Sequence, residues 1–387
     1  MELLDLPLNN PILVDTPSAL KEMVRLLARE PRLAVDTEAN SLHAYQERVC
    51  LIQFSTPQDD YLVDPLALGD LTHLGPLFSD PQIEIIFHAS EYDMIGLQRD
   101  FSFTFANIFD TMLAARILGY KSIGLASLLA EKFGLDIDKH NQKANWGKRP
   151  LSPELIDYAR LDTHYLIRLR DILETELHEK GRWDLAVEDF QRACYVNNGS
   201  NTHRASQPGW ERIKGRSDLT PRQLTILNEL CRYRARIAER YNRPVFKVVN
   251  DAALLKLAQS EAQTLDDLAA AGLTELQINR MGKGLLTVLT NAEGMPLVRA
   301  STAEKVSEAV VLRLKRLKSW RKKKAGELEV ESDVILPRTL LTMLAEKNPR
   351  TPLELERVIG SSSWRLTNFG GEILHALGVK EPETSVD

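Results

Sequence analysis

The sequence predicts an α/β domain with a mixed sheet, followed by an all-helical half built from two copies of one unit. Three observations carry this. Short β-rich runs cluster before residue 90 and helical patterns follow, the order of a layered sheet-and-helix fold. A polar, breaker-rich stretch, "NNGSNTHRASQPG" at 197–209, reads as a linker. Beyond it almost everything has helical spacing, and Arg234 and Arg321, Thr264 and Thr351, and Gly284 and Gly371 are each 87 residues apart.

The elements follow in order. "PILVD" (11–15) is a short apolar strand, and Thr16 or Ser18 can cap the helix "ALKEMVRLLARE" after it. "RLAVDTE" (32–38), "RVCLIQFST" (48–56) and "DYLVDP" (60–65) are strands whose short connections favour antiparallel pairing. "IEIIFHA" (83–89) is a further buried strand, and helices are expected near 91–99, 110–118, 122–133 and 153–179. The duplicated helical unit is expected over about 219–292 and 306–378.

Composition narrows the class. The chain of 387 residues is 43% apolar, enough for two or three cores. No apolar run reaches the length of a membrane span, and "MELLDLPLNN" lacks the pattern of a signal peptide. Three scattered cysteines, Cys50, Cys194 and Cys231, offer neither a disulfide framework nor a zinc site, so a cytoplasmic protein is expected. The net charge of −5 divides unevenly, −12 over residues 1–200 and +7 over 201–387. An acidic half can hold cations and a basic half polyanions.

Within "LAVDTE", Asp36 and Glu38 lie two apart on a strand, so both project from one face while Thr37 points away. Two adjacent carboxylates repel, and burial penalises their charge further. Either this is a solvated sheet edge, or a divalent cation removes both penalties. Asp93 follows the strand "IEIIFHA", where sites of α/β sheets gather. Asp162 and Tyr158 stand four apart in "LIDYARLDTHYL", on one helical face. Four acids can hold two Mg²⁺ ions about 3.5–4 Å apart, equipment that fits phosphodiester hydrolysis. A tyrosine phenol, ordinarily titrating near pH ~10, can orient the attacking water but is a poor base.

The ordered motifs "DTE", "FHASEYD" and "YARLD" resemble those of the DEDDy family of 3′→5′ exonucleases, on a ribonuclease-H-like fold. The flanks "LIQFST", "FDTMLAARILGY" and "NWGKRPLS" narrow this to the ribonuclease D family, whose two HRDC helical domains the duplicated half resembles. The resemblance implies a DEDDy exonuclease domain at 1–196, a linker at 197–215 and HRDC-like domains at 216–296 and 303–381. It makes Asp36, Glu38, Asp93 and Asp162 the ligands of two Mg²⁺ or Mn²⁺ ions, and Tyr158 the residue that positions the nucleophilic water. It implies an exoribonuclease that releases nucleoside 5′-monophosphates and acts on RNA such as tRNA precursors. Apart from the resemblance, a monomer is expected, with no membrane partner. "ANS" follows "DTE" where the family often has an aromatic, and Asn145-Trp146 replaces a frequent Asp-Trp; neither touches a proposed ligand.

Asp110 is read as a helix cap, and His88 and His164 as satisfied core groups. The basic stretches "LRLKRLKSWRKKK" (312–324), with eight Lys/Arg, and "CRYRARIAERYNR" (231–243), with five, can meet phosphates. Trp320 and Tyr233 occupy matching, core-like positions within them. Two other readings stay open at this point: a DNA 3′→5′ exonuclease of the same superfamily, and a nucleic-acid-binding protein with an idle nuclease domain.

Overall fold

The computed structural model describes residues 9–138, 140–196, 209–298, 307–361 and 363–379. The first domain holds six strands: β1 (Ile12–Val14), β2 (Arg32–Ala39), β3 (Val49–Ser55), β4 (Asp60–Val63), β5 (Glu84–Phe87) and β6 (Ile108–Asp110). They lie in the order β1-β4-β3-β2-β5-β6. The β2–β3 and β3–β4 pairs are antiparallel, as their short connections require, and the other three pairs are parallel. The sheet is therefore mixed. Strand β6 is three residues long, too short to show an alternation, and the sequence reading runs a helix through its last residue.

The domain's longer helices are α1 (Pro17–Leu27), α2 (Glu91–Phe101), α3 (Thr111–Leu118), α4 (Leu125–Phe133), α5 (Pro153–His164), α6 (Leu166–Glu179) and α7 (Trp183–Val196). The single helix expected at 153–179 is two, divided at Tyr165. Apolar periodicity continues across that break, so pattern alone does not reveal it. One sheet face carries Val49, Ile52 and Phe54 into the main core; the other carries Leu51 against Ala159 of α5. Helix α5 thus lies over β2 and β3, which places Tyr158 and Asp162 above Asp36 and Glu38.

The second half is two helical bundles. The first contains α8 (Pro221–Arg240), α9 (Asp251–Gln259), α10 (Leu265–Ala270) and α11 (Glu275–Glu293). The second contains α12 (Glu308–Glu327), α13 (Arg338–Lys347), α14 (Pro352–Ile359) and α15 (Trp364–Ala376). Residues 197–208 of the expected linker lie outside the described residues. Residues 209–215 do not behave as linker: Trp210 and Ile213 are buried in the core of the first bundle.

The repeat is physical. Arg234 Nη1 donates to the Val249 carbonyl at 2.9 Å, and Arg321 Nη1 donates to the Leu336 carbonyl, 87 residues on, at 2.8 Å. Thr264 and Thr351 each cap a helix with their side chains. In the last helix of each unit the spacing becomes 88. Buried Met281, Leu285 and Leu289 correspond to Phe369, Ile373 and Leu377, so Gly284 is matched by Glu372 and not Gly371.

The second bundle docks on the exonuclease-like domain. Val334 joins the first domain's core. Arg365, wholly buried, donates to Glu188 at 2.6 Å and Asp189 at 2.9 Å on α7, and to the carbonyls of Val334 and Ile335. Arg116 pairs with Glu331 and Asp333, and Arg182 donates to the Leu328 carbonyl. Gly119 ends α3 at φ +88, and a Cβ there would stand 2.6 Å from the Glu329 carbonyl oxygen. Only glycine meets both demands.

Candidate active site

Strand β2 supplies Asp36 and Glu38 to one face, and α5 supplies Asp162 to the same space. Carboxylate oxygens of these three residues lie within 4.8 Å of one another. Tyr158, one turn before Asp162, hydrogen-bonds its carboxylate, as their i, i+4 spacing allows. Trp146, almost fully buried, packs against the Tyr158 ring with centroids 6.0 Å apart.

Asp93 sits differently. It is buried in the first turn of α2 and accepts a hydrogen bond from the Thr37 hydroxyl. Thr37 faces away from Asp36 and Glu38, as the strand alternation predicts. Asp93 is therefore outside the group of three whose oxygens converge, yet near enough for its charge to raise the pKa of each.

Burial is the first cause of every shift here, and for Asp36, Glu38 and Asp162 repulsion by the neighbouring acids is the second. Burial pushes Glu38 up to about 9, with Asp162 and Asp93 adding to it. Asp162 rises to about 7 by burial and the Asp93 charge, against the Tyr158 hydrogen bond. Asp93 also rises to about 7 by burial, against its hydrogen bonds from Thr37. Asp36 is held well above the usual carboxylate range by burial and the three other acids. Such a cluster, without cations, is a store of repulsion that a divalent ion releases; oxygen donors alone suit Mg²⁺ or Mn²⁺. The residues fit a divalent metal centre. Tyr158 is shifted upward, by burial and then by the neighbouring carboxylates, so it stays a neutral phenol.

Neighbouring groups hold the cluster in shape. Asp110 caps α3 through the amides of Met112 and Leu113, as expected. It also accepts from Ala89 N, Ser90 N and Ser90 Oγ, which fixes the turn that delivers Asp93. Ala89 in that turn has φ +65. His88 Nδ1 meets Thr111 Oγ1 and His164 Nδ1 meets Asp60, so both histidines are partnered within the fold. Sequence reasoning missed Thr37 and Trp146. No local signal places Thr37 beside Asp93, 56 residues on.

Comparison with known proteins fits this geometry. A 3′-5′ exonuclease family profile matches residues 11–178, and an HRDC domain profile matches 223–289 and 312–377. Ribonuclease D of Gluconacetobacter diazotrophicus is 30% identical over 379 residues, covering 94% of this chain and 92% of that protein. The chain belongs to the ribonuclease D family.

Protein RRP6-like 3 of Arabidopsis thaliana is 34% identical over 277 residues, but the chain spans only 31% of its length. The crystal structure of Escherichia coli RNase D shares the fold, with a TM-score of 0.69 and 23% identity over 96% of this chain and 99% of that one. The first domain is thus a ribonuclease D-like 3′→5′ exonuclease, and no described helix is long and apolar enough to cross a membrane.

Proposed function

We propose that this ribonuclease D family member trims RNA from the 3′ end by hydrolysis, releasing nucleoside 5′-monophosphates, with tRNA precursors among its substrates. The observation that carries the reading is the convergence of Asp36, Glu38 and Asp162 beneath Tyr158. Asp36, Glu38 and Asp162 would hold the metal, and Asp93, close enough to act on all three, would complete the acidic set. Bound there, a pair of Mg²⁺ or Mn²⁺ ions would activate a water and stabilise the departing oxygen. Tyr158, kept neutral, holds that water in line by hydrogen bonding and does not take its proton. Thr37 and Asp110 keep Asp93 in place. The reaction belongs in the cytoplasm, where the free cysteines stay reduced.

The basic helices supply the RNA surface. On α12, Arg313, Arg321 and Lys324 are engaged by the Ala345 carbonyl, the Leu336 carbonyl and Glu372. Lys315, Arg316, Lys318, Lys322 and Lys323 stay exposed. Trp320 and Tyr233 are packed, with Trp320 bonded to Glu372. Exposed Tyr241, stacked by Arg240, is the aromatic better placed for a base. Its neighbour Asn242 accepts from the Tyr45 amide, on the loop that follows Glu38.

The test compares 3′-labelled RNA and DNA, with Mg²⁺, Mn²⁺ or EDTA, in the intact protein and in Asp36→Asn. Nucleotide release from RNA should need metal and disappear in the variant. Equal or faster digestion of DNA would remove the RNA preference, and binding without cleavage would leave an idle domain.

A further inference from the structure

The strand "VCLIQFS" is apolar but for Gln53 and its terminal Ser55. Gln53 is wholly buried, and it alone among the described buried side chains has both a donor and an acceptor without a hydrogen-bond partner. Its place is specific. In the antiparallel β2–β3 pair Gln53 stands directly opposite Asp36. Directly paired residues share a face with Cβ atoms about 4.5–5.5 Å apart. On that face its neighbours are Leu51, in contact with the cluster that holds Ala159 and Tyr158, and Ser55, whose hydroxyl meets Thr163 Oγ1 at 2.7 Å. Gln53 is thereby bracketed beneath the turn of α5 that carries Asp162. A leucine or methionine would fill this position without the cost of an unpaired amide.

We propose that Gln53 is a positioning residue: its carboxamide N–H donates to the Asp36 carboxylate, directly or through one water, when a divalent cation is bound. The inference rests on the metal-dependent reading above. An amide suits the task because it fixes a ligand's orientation without adding charge that competes with the cation. Outer groups of this kind commonly change metal affinity about 10–100-fold when removed.

The test uses the full chain with Gln53→Leu and Gln53→Met, and reads metal binding without RNA. Mn²⁺ and Mg²⁺ affinity are taken from calorimetry and from the metal-induced rise in melting temperature. Expected are a melting temperature in EDTA equal to or above that of the parent, a metal affinity lowered about tenfold or more, and exonuclease activity that recovers at high Mg²⁺. Wild-type metal affinity and wild-type Mg²⁺ dependence in either variant would overturn the proposal. So would failure of both to fold, which would make Gln53 a structural residue. Asp36→Asn separates the premises: if the parent chain and Asp36→Asn bind metal alike, the metal-site reading itself falls.

Discussion

Glu38→Gln should make the metal-free protein more stable while abolishing its activity. The side chains match in size, so the change removes charge and little else. In the unfolded chain Glu38 ionises near pH 4.5, and in the fold it keeps its proton to about 9. The folded state therefore binds more protons than the unfolded state across that window. Parent stability is whole below about pH 4.5 and is lost as pH rises toward 9. The slope is about 1.4 kcal/mol per pH unit, which sets a ceiling near ~5 kcal/mol at pH ~8. Water entry and sharing of protons among four coupled acids lower this, to an expected gain of about 1–3 kcal/mol, or about 2–10 °C. Calorimetry in EDTA from pH 6 to 9 should show the variant above the parent, with a gap that widens with pH. Adding Mg²⁺ should raise the parent's melting temperature by mass action and the variant's much less. Nuclease activity should fall at least about 100-fold, since metal stabilisation of the transition state is worth several kcal/mol. A variant less stable than the parent in EDTA at high pH, or a gap that ignores pH, would refute the electrostatic account of the cluster.

Tyr158→Phe should lower kcat by about 10–100-fold, with metal affinity shifted little, because the phenol bonds Asp162 and would orient the attacking water but is not a proposed ligand; titration calorimetry and single-turnover rates separate the two. Arg365→Met removes the buried cation between Glu188 and Asp189, leaving Arg192 as their shared partner, and should cost about 3 kcal/mol, read by urea denaturation as early release of the second bundle. Gly119→Ala should weaken the same docking by about 1–3 kcal/mol, through its left-handed backbone and the Glu329 carbonyl. Replacing Lys318 and Lys322 with alanine should flatten the salt dependence of RNA binding by about 0.7 in log–log slope for each phosphate that is no longer neutralised.

Much of this was legible because its signals are local. The i, i+2 pair Asp36/Glu38 and the i, i+4 pair Tyr158/Asp162 follow from strand and helix geometry, and the structure brings both pairs together. Short connections identified the antiparallel strands. Other features depend on distant chain. The grip of Thr37 on Asp93 joins residues 56 apart. The docking of Arg365 on α7 joins residues 177 and 176 apart. The shift of the repeat from 87 to 88 hides because two glycines, Gly284 and Gly371, match by identity while their surroundings do not.

That shift shows how one helical unit came to serve two purposes. In the first bundle Tyr233 lies over Gly284, where a Cβ would stand 2.1 Å from its hydroxyl oxygen. At the matching pair of the second, the Trp320 indole N–H donates to Glu372, and Gly371 beside it is open. A groove bordered by Arg316, Lys323 and His375 results. Likewise Gln277 donates to the Val248 carbonyl, while its counterpart Arg365 donates to the matching Ile335 carbonyl and still has two nitrogens left. Those two nitrogens reach Glu188 and Asp189. A longer, charged side chain at one repeat position thus keeps the internal bond and adds the external one. The second bundle, which carries the exposed cations of α12, is consequently fastened to the nuclease through buried charge. The first bundle instead meets the active-site rim through Tyr45, whose amide is received by Asn242 and whose side chain packs on the bundle core. RNA held by α12 and by the Arg240–Tyr241 turn would therefore be held by one surface joined to the exonuclease domain through α7 and by another joined to the loop that follows Glu38.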